Sequence, residues 1–110
     1  NEDSKIWLEM AKRIGSFLEE LDSLLLKGDS EAAVIRGTIG DIGRIIMANG
    51  AEVIDVDTGF DSLRHRNVES DFVPTGTEIS ETVSPGFVAN GQVVKRALVR
   101  VNHRREKSNE

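Results

Sequence analysis

Apolar residues recur at helical spacing through the first half of the chain and at alternating spacing through the second. Trp7, Met10, Ile14, Phe17, Leu21 and Leu24 are separated by 3, 4, 3, 4 and 3 residues, an a/d heptad seam. Leu8, Ala11, Leu18 and Leu25 widen that stripe, which suits a bundle better than a two-stranded coil. Asp3 or Ser4 can cap the start of this helix, Lys27-Gly28 reads as its stop, and Gly15 weakens it locally. Asp29 or Ser30 then opens a second helix, in which Ile35, Ile39, Ile42 and Ile46 share one narrow stripe. Asn49-Gly50 closes it, with Gly50 as a left-handed cap.

The second helix contains "GTIGDIG" (37–43), with glycine at every third position. A phosphate-binding loop would place such glycines between a strand and a helix, followed by Lys-Ser/Thr. Here helix precedes them and Arg-Ile-Ile follows. Gly37, Gly40 and Gly43 are therefore expected on a helix flank, where close approach of another backbone offsets a cost of about 1 kcal/mol each.

After Gly50 the texture changes. Residues 51–56, 79–84 and 93–101 are strand candidates, and Asn90-Gly91 lies between β-favouring runs as a hairpin turn. The predicted class is α+β, in three parts. Residues 1–50 form a helical dimerisation segment, 51–103 a small β domain, and 104–110 a solvated tail. Two helices cannot cover both of their apolar stripes, and so small a β module is marginal alone. The expected solution is a homodimer whose two helical hairpins form a four-helix bundle. Its interface would use Ile14, Phe17, Leu21, Leu24, Ile35, Ile39, Ile42 and Ile46.

Composition narrows the chemistry. The net charge of −5 argues against nucleic acid as partner, despite the basic cluster Lys95, Arg96, Arg100, Arg104, Arg105 and Lys107. Without cysteine there is no disulfide, thiol nucleophile or zinc–thiolate site. His65 and His103 alone make a poor metal set, so no metal or other cofactor is expected. No apolar run approaches the roughly 18 residues of a membrane span, and "NEDSKIW" lacks the layout of a secretion signal. The chain reads as soluble and cytoplasmic, with no membrane partner.

"VIDVDTGF" (53–60) carries Asp57-Thr58-Gly59, the core tripeptide of aspartic proteases, and a chain of this length could be half of a homodimeric one. That motif should follow β hairpins, however, and here it follows two helices. The simpler reading is a strand and a turn. No convergent catalytic set is visible and the chain is not read as an enzyme.

The stretch "NGAEVIDVDTGFDSLRHRNV" (49–68) resembles the bundle-to-β junction of the GrpE family, nucleotide exchange factors of Hsp70 chaperones. That family reads Gly-Val-Glu-x-Ile, then Phe-Asp-Pro-x-x-His-x-Ala-Val, against Gly50, Glu52, Ile54, Phe60, Asp61, His65 and Val68 here. "FLEELDSL" (17–24) is similar to the family's Leu-Leu-Pro-Val-x-Asp-x-Leu, and "GQVVKRALV" (91–99) to Gly-Arg-x-Leu-Arg-Pro-Ala-x-Val. The chain departs from the pattern at Glu19, Ser62 and Arg96, each standing where the family has proline, and at Gln92 and Lys95, where it has arginine. The resemblance implies an Hsp70 co-chaperone, a homodimer whose β domain opens the nucleotide cleft of the chaperone's ATPase domain and releases ADP. By register, the chaperone contacts carry over to Val83, Val101 and Phe60, with Gln92 and Lys95 beside them. The alternatives are a homodimeric aspartic hydrolase using Asp57 and a dimeric adaptor without exchange activity.

Overall fold

The computed structural model describes residues 2–28 and 30–102. The expected tail, with His103 and the basic residues beyond it, lies outside the described residues. The chain is α+β. Helix α1 (Glu2–Leu26) and helix α2 (Ala32–Ala48) are followed by six short strands. These are β1 (Glu52–Ile54), β2 (His65–Asn67), β3 (Ile79–Ser84), β4 (Gly86–Ala89), β5 (Gln92–Lys95) and β6 (Ala97–Val101). They form two three-stranded sheets, ordered β1-β4-β5 and β2-β6-β3. The first is antiparallel; in the second, β2 runs parallel to β6 and β3 antiparallel.

Both helices end as their sequences direct. The N–H of Gly28 bonds the Leu25 carbonyl at 3.0 Å with φ 68°, and that of Gly50 bonds Met47 at 3.0 Å with φ 103°. At the other end of α2, Glu31 rather than Ser30 occupies the N-cap. The β4–β5 hairpin turns through Asn90 (φ 50°) and Gly91 (φ 78°), the pair of positive φ angles that a two-residue turn of matching twist needs.

The expected strand over 93–101 is two strands in different sheets, with Arg96 at the break. The imperfect alternation of that run has this cause: the chain changes sheet and the inward phase resets. Strand β2 carries "HRN", which has no apolar alternation to announce it.

The core crosses the expected domain boundary. Leu18 and Leu25 of α1, Ile35, Ile39 and Ile46 of α2, and Ala51 and Phe87 from the β half form one buried cluster. A second cluster, around Ile54, Phe60, Val73, Ala97, Val99 and Val101, fills the β module. The stripe of α1 that faces inward is Ala11, Gly15, Leu18, Asp22 and Leu25, again at 4, 3, 4, 3 spacing but on the neighbouring face of the helix from the predicted seam. Strands β4 and β5 cover that stripe, so the β half hides apolar surface that the two helices could not hide from each other.

Gly37, Gly40 and Gly43 lie within α2, as predicted, but they do not share a packing role. A Cβ on Gly43 would come within 2.7 Å of the Phe87 ring. One on Gly37 would meet nothing within 4 Å, and one on Gly40 only the tip of Arg44, at 3.8 Å. Close approach of a backbone occurs instead at Gly15, against Val94 of β5. Gly37→Ala and Gly40→Ala are therefore expected to stabilise the protein by about 0.5–1 kcal/mol each, through helix propensity alone. The thermal midpoint of each variant checks this, and a fall in either would mean that the glycine packs against something outside this chain.

Candidate interaction surfaces

Of the eight residues expected at a dimer interface, the structure divides the set. Ile35, Ile39 and Ile46 are buried within the protomer, in one cluster with Leu18 and Leu25 of α1 and with Ala51 and Phe87. Ile14, Leu21 and Ile42 are half-buried against the same cluster. Phe17 and Leu24 remain exposed, at 49% and 39%. Ile6 and Met10 of α1 and Val34 and Ile45 of α2 are also exposed. At about 100° per residue, Ile6, Met10, Phe17 and Leu24 share one side of α1, and Val34 and Ile45 one side of α2. Each open stripe flanks the buried stripe of its own helix, so half of the predicted seam points outward.

The five residues expected to contact a chaperone divide similarly. Phe60 and Val101 are each 6% exposed, within the β-module cluster, and Lys95 is fully buried. In the protomer all three side chains are packed inside. Phe60 anchors the 57–65 loop and Val101 ends the central strand β6, so both are held by core packing. Val83 is half-buried on edge strand β3, and Gln92 is exposed beside the β4–β5 turn.

Lys95 is the centre of a polar seam that joins α1 to the sheets. Its Nζ lies 2.6 Å from Asp22 Oδ2, and donates to the Pro85 carbonyl and, at 3.0 Å, to that of Arg96. Asp22 is 1% exposed, and neither of its carboxylate oxygens has a well-aligned donor. Burial pushes the Lys95 ammonium below its ordinary pKa, and the charges of Asp22 and Glu19 offset only part of that shift. Beside it, Glu19 accepts from the Arg96 backbone N–H at 2.8 Å and from the Arg96 guanidinium at 3.2 Å. Arg66 donates to the Glu19 carbonyl at 3.2 Å and to Ser23 Oγ at 2.8 Å. The sequence reading missed Asp22. Its signal was an acid set in a run of leucines at core spacing, where an unpaired charge could not stay.

Asp57 is the other anchored carboxylate. Arg64 grips it with Nε at 2.8 Å and Nη2 at 3.1 Å. His65, 1% exposed, has Nδ1 accepting the Asp61 backbone N–H at 2.9 Å. Since an N–H can only donate, the ring proton sits on Nε2, which points to Asp57 Oδ2 at 2.7 Å. Both ring nitrogens and both Asp57 oxygens are thus engaged in closing the 57–65 loop. A proton-sharing pair of carboxylates needs a free one, and Asp57 faces a guanidinium instead.

The two carboxylates make folding depend on acid. In Asp57 the Arg64 hydrogen bonds lower the pKa, outweighing burial. In Glu19 burial raises it, but the Arg96 hydrogen bonds and charge prevail and the net shift is downward. A carboxylate with a lowered folded-state pKa contributes stability that is complete above its unfolded value, 4.5 for Glu19 and 3.8 for Asp57, and disappears as pH falls through the folded value. The urea midpoint is expected to hold from pH 7 to about 5 and to fall below about 4.5, more gently in Glu19→Gln, whose side chain does not titrate. An unchanged acid limb in that variant would remove Glu19 as a source.

Among the described residues, no group of three His, Cys, Asp or Glu side chains could hold a metal ion. No helix among them is long and apolar enough to cross a membrane. No protein-family model matches the chain, and no curated protein matches it.

Proposed function

We propose that this chain is a GrpE-like co-chaperone that promotes nucleotide exchange on an Hsp70. What supports the reading is a pairing in space of positions 73 and 77 residues apart in sequence, counting from Asp22 to Lys95 and from Glu19 to Arg96. Asp22 and Lys95 stand where the resembling motifs carry aspartate and arginine, and they meet as an acid and a base in the core. Glu19 and Arg96 stand where those motifs carry proline, and they meet as an ion pair. The Arg96 backbone N–H that Glu19 accepts is one that a proline could not offer. Two departures from the family pattern are therefore one coupled change, and they do not count separately against the resemblance.

In this reading the protein is a homodimer, joined through the open faces of α1 and α2 around Phe17, Leu24, Val34 and Ile45. Its β module binds the ATPase domain of the chaperone through the edge of the sheet at Val83 and the turn at Gln92, since Phe60, Val101 and Lys95 are occupied internally. A partner that binds the cleft-open state better shifts the chaperone toward it, and ADP, which favours the closed state, is weakened in return. No bond is made or broken in this action.

The test is release of fluorescent ADP from a purified bacterial Hsp70, with mass in solution measured by sedimentation equilibrium. Acceleration that saturates with added dimer is the expected result. No acceleration at saturating protein would reject exchange in favour of an adaptor, and a stable monomer would reject the bundle.

A further inference from the structure

The chain carries the tripeptide Ala-Asn-Gly twice, at 48–50 and at 89–91. An asparagine followed by glycine is open to attack on its own side-chain amide, because glycine has no Cβ to keep its backbone nitrogen away from the Asn Cγ. The shared tripeptide gives both sites the same local chemistry. Asn49, Gly50, Asn90 and Gly91 are all exposed, so solvent access does not separate them.

Hydrogen bonding does separate them. At the end of α2 the Gly50 N–H, which carries the attacking nitrogen, donates to the Met47 carbonyl at 3.0 Å. Asn49 Nδ2, the leaving group, donates to the Ile45 carbonyl at 2.9 Å. The backbone N–H groups of Asn49 and Ala51 both reach the Ile46 carbonyl, at 3.1 and 3.0 Å. Attack at this site must undo the helix end. In the turn between the paired Ala89 and Gln92, the Gly91 N–H has no acceptor among the described residues. There the leaving end alone is held, by a bond from Asn90 Nδ2 to the Ser4 carbonyl at 3.2 Å. That same bond ties the β4–β5 turn to the start of α1.

We propose that Asn90 is a site of spontaneous deamidation in the folded protein, and that the change unties the start of α1 from the β4–β5 turn. The Gly91 nitrogen bonds to Asn90 Cγ and gives up its proton. The bond from Cγ to Nδ2 breaks, and ammonia leaves with that proton. Water then opens the cyclic imide at either carbonyl, giving aspartate or its β-linked isomer. Either product exchanges an amide donor for a carboxylate, which accepts and cannot donate. The Ser4 carbonyl loses its bond from Asn90, and a new negative charge comes up against a first turn that already carries Glu2 and Asp3. The site does not depend on the exchange reading.

The experiment incubates the full chain at mildly alkaline pH, folded and in urea, and follows the tryptic peptides 45–64 and 67–95 by mass spectrometry. Each event adds about 1 Da, and fragmentation assigns it to a residue. In the folded chain Asn90 is expected to convert at least about tenfold faster than Asn49, whose two hydrogen bonds must open first. In urea the two rates should agree within about twofold, since no folded contact then distinguishes them. Equal rates in the folded chain, a faster Asn49, or a difference that persists in urea would each overturn the proposal. Asn90→Asp supplies the first product directly. Its amides at 6–10 are expected to exchange with solvent at least about threefold faster than the parent's, as loss of a local tie implies. Unchanged exchange there would overturn the claim that this turn holds α1.

Discussion

Lys95→Met alone is expected to cost about 3–5 kcal/mol, because it leaves the Asp22 carboxylate buried with no charge to oppose it. For a domain whose whole stability is about 5–15 kcal/mol, that is a large fraction. The pair itself is a different quantity. Burial already depresses the Lys95 pKa despite Asp22 at 2.6 Å, so desolvation of the ammonium outweighs the attraction it gains. Asp22→Leu with Lys95→Met replaces both charges by apolar side chains of similar volume, and should restore stability to within about 1 kcal/mol of the parent or exceed it. Urea unfolding of the two single variants and the double variant measures the coupling directly. A Lys95→Met midpoint equal to that of the parent would mean that Asp22 finds water or another cation, and the seam would not be closed as described.

Gly15→Ala is the second large effect, and its sign opposes that of the same substitution at Gly37. Helix propensity favours alanine at both sites by about 1 kcal/mol. At Gly15, however, the new Cβ would sit 1.9 Å from the Val94 carbonyl oxygen and 2.5 Å from its carbon. Both are backbone atoms of β5, at the irregularity in its register with β4, and a backbone atom cannot rotate away as a side-chain tip can. Helix α1 must lift off β5, and lifting it also draws Asp22 from Lys95, seven residues further along the same inward stripe. A net loss of about 2 kcal/mol or more is expected, at the upper end of overpacking costs. For a chain of this size each kcal/mol moves the thermal midpoint by several degrees. A Gly15→Ala midpoint equal to or above the parent's would show that α1 does not dock closely on β5.

These two sites show where local reading stopped. The helices were legible because 3.6-residue periodicity survives whatever the helix packs against. The hairpin was legible because Asn90 and Gly91 tolerate positive φ, a property of the residues themselves. The inward face of α1 was not legible. Its apolar arc is broad, and Met10, Phe17 and Leu24 look as suited to burial as Ala11, Leu18 and Leu25. What decides between them is Gly15, which lets a strand approach on one side only, and Asp22, which needs a cation that the sequence places 73 residues away.

The burial of three candidate contacts was not legible for a related reason. Phe60, Val101 and Lys95 were placed by register along a resemblance, and register carries no information on which face of a strand is covered. A lysine in a strand reads as a marker of the solvent face, and Lys95 is the reverse because Asp22, Pro85 and Arg96 together replace its water. At the break at Arg96, which sends β5 and β6 into different sheets, the backbone N–H is likewise satisfied by a distant group, the Glu19 carboxylate.

The sequence by itself determined the class, the C-terminal ends of the helices and the tight turn, because each of these depends on side chains within a few residues of one another. The tertiary structure alone decided which apolar stripe is core, which charges are internal and which surfaces stay open. Those choices depend on what lies opposite each side chain, and the opposing group comes from a part of the chain whose distance in sequence says nothing of its distance in space.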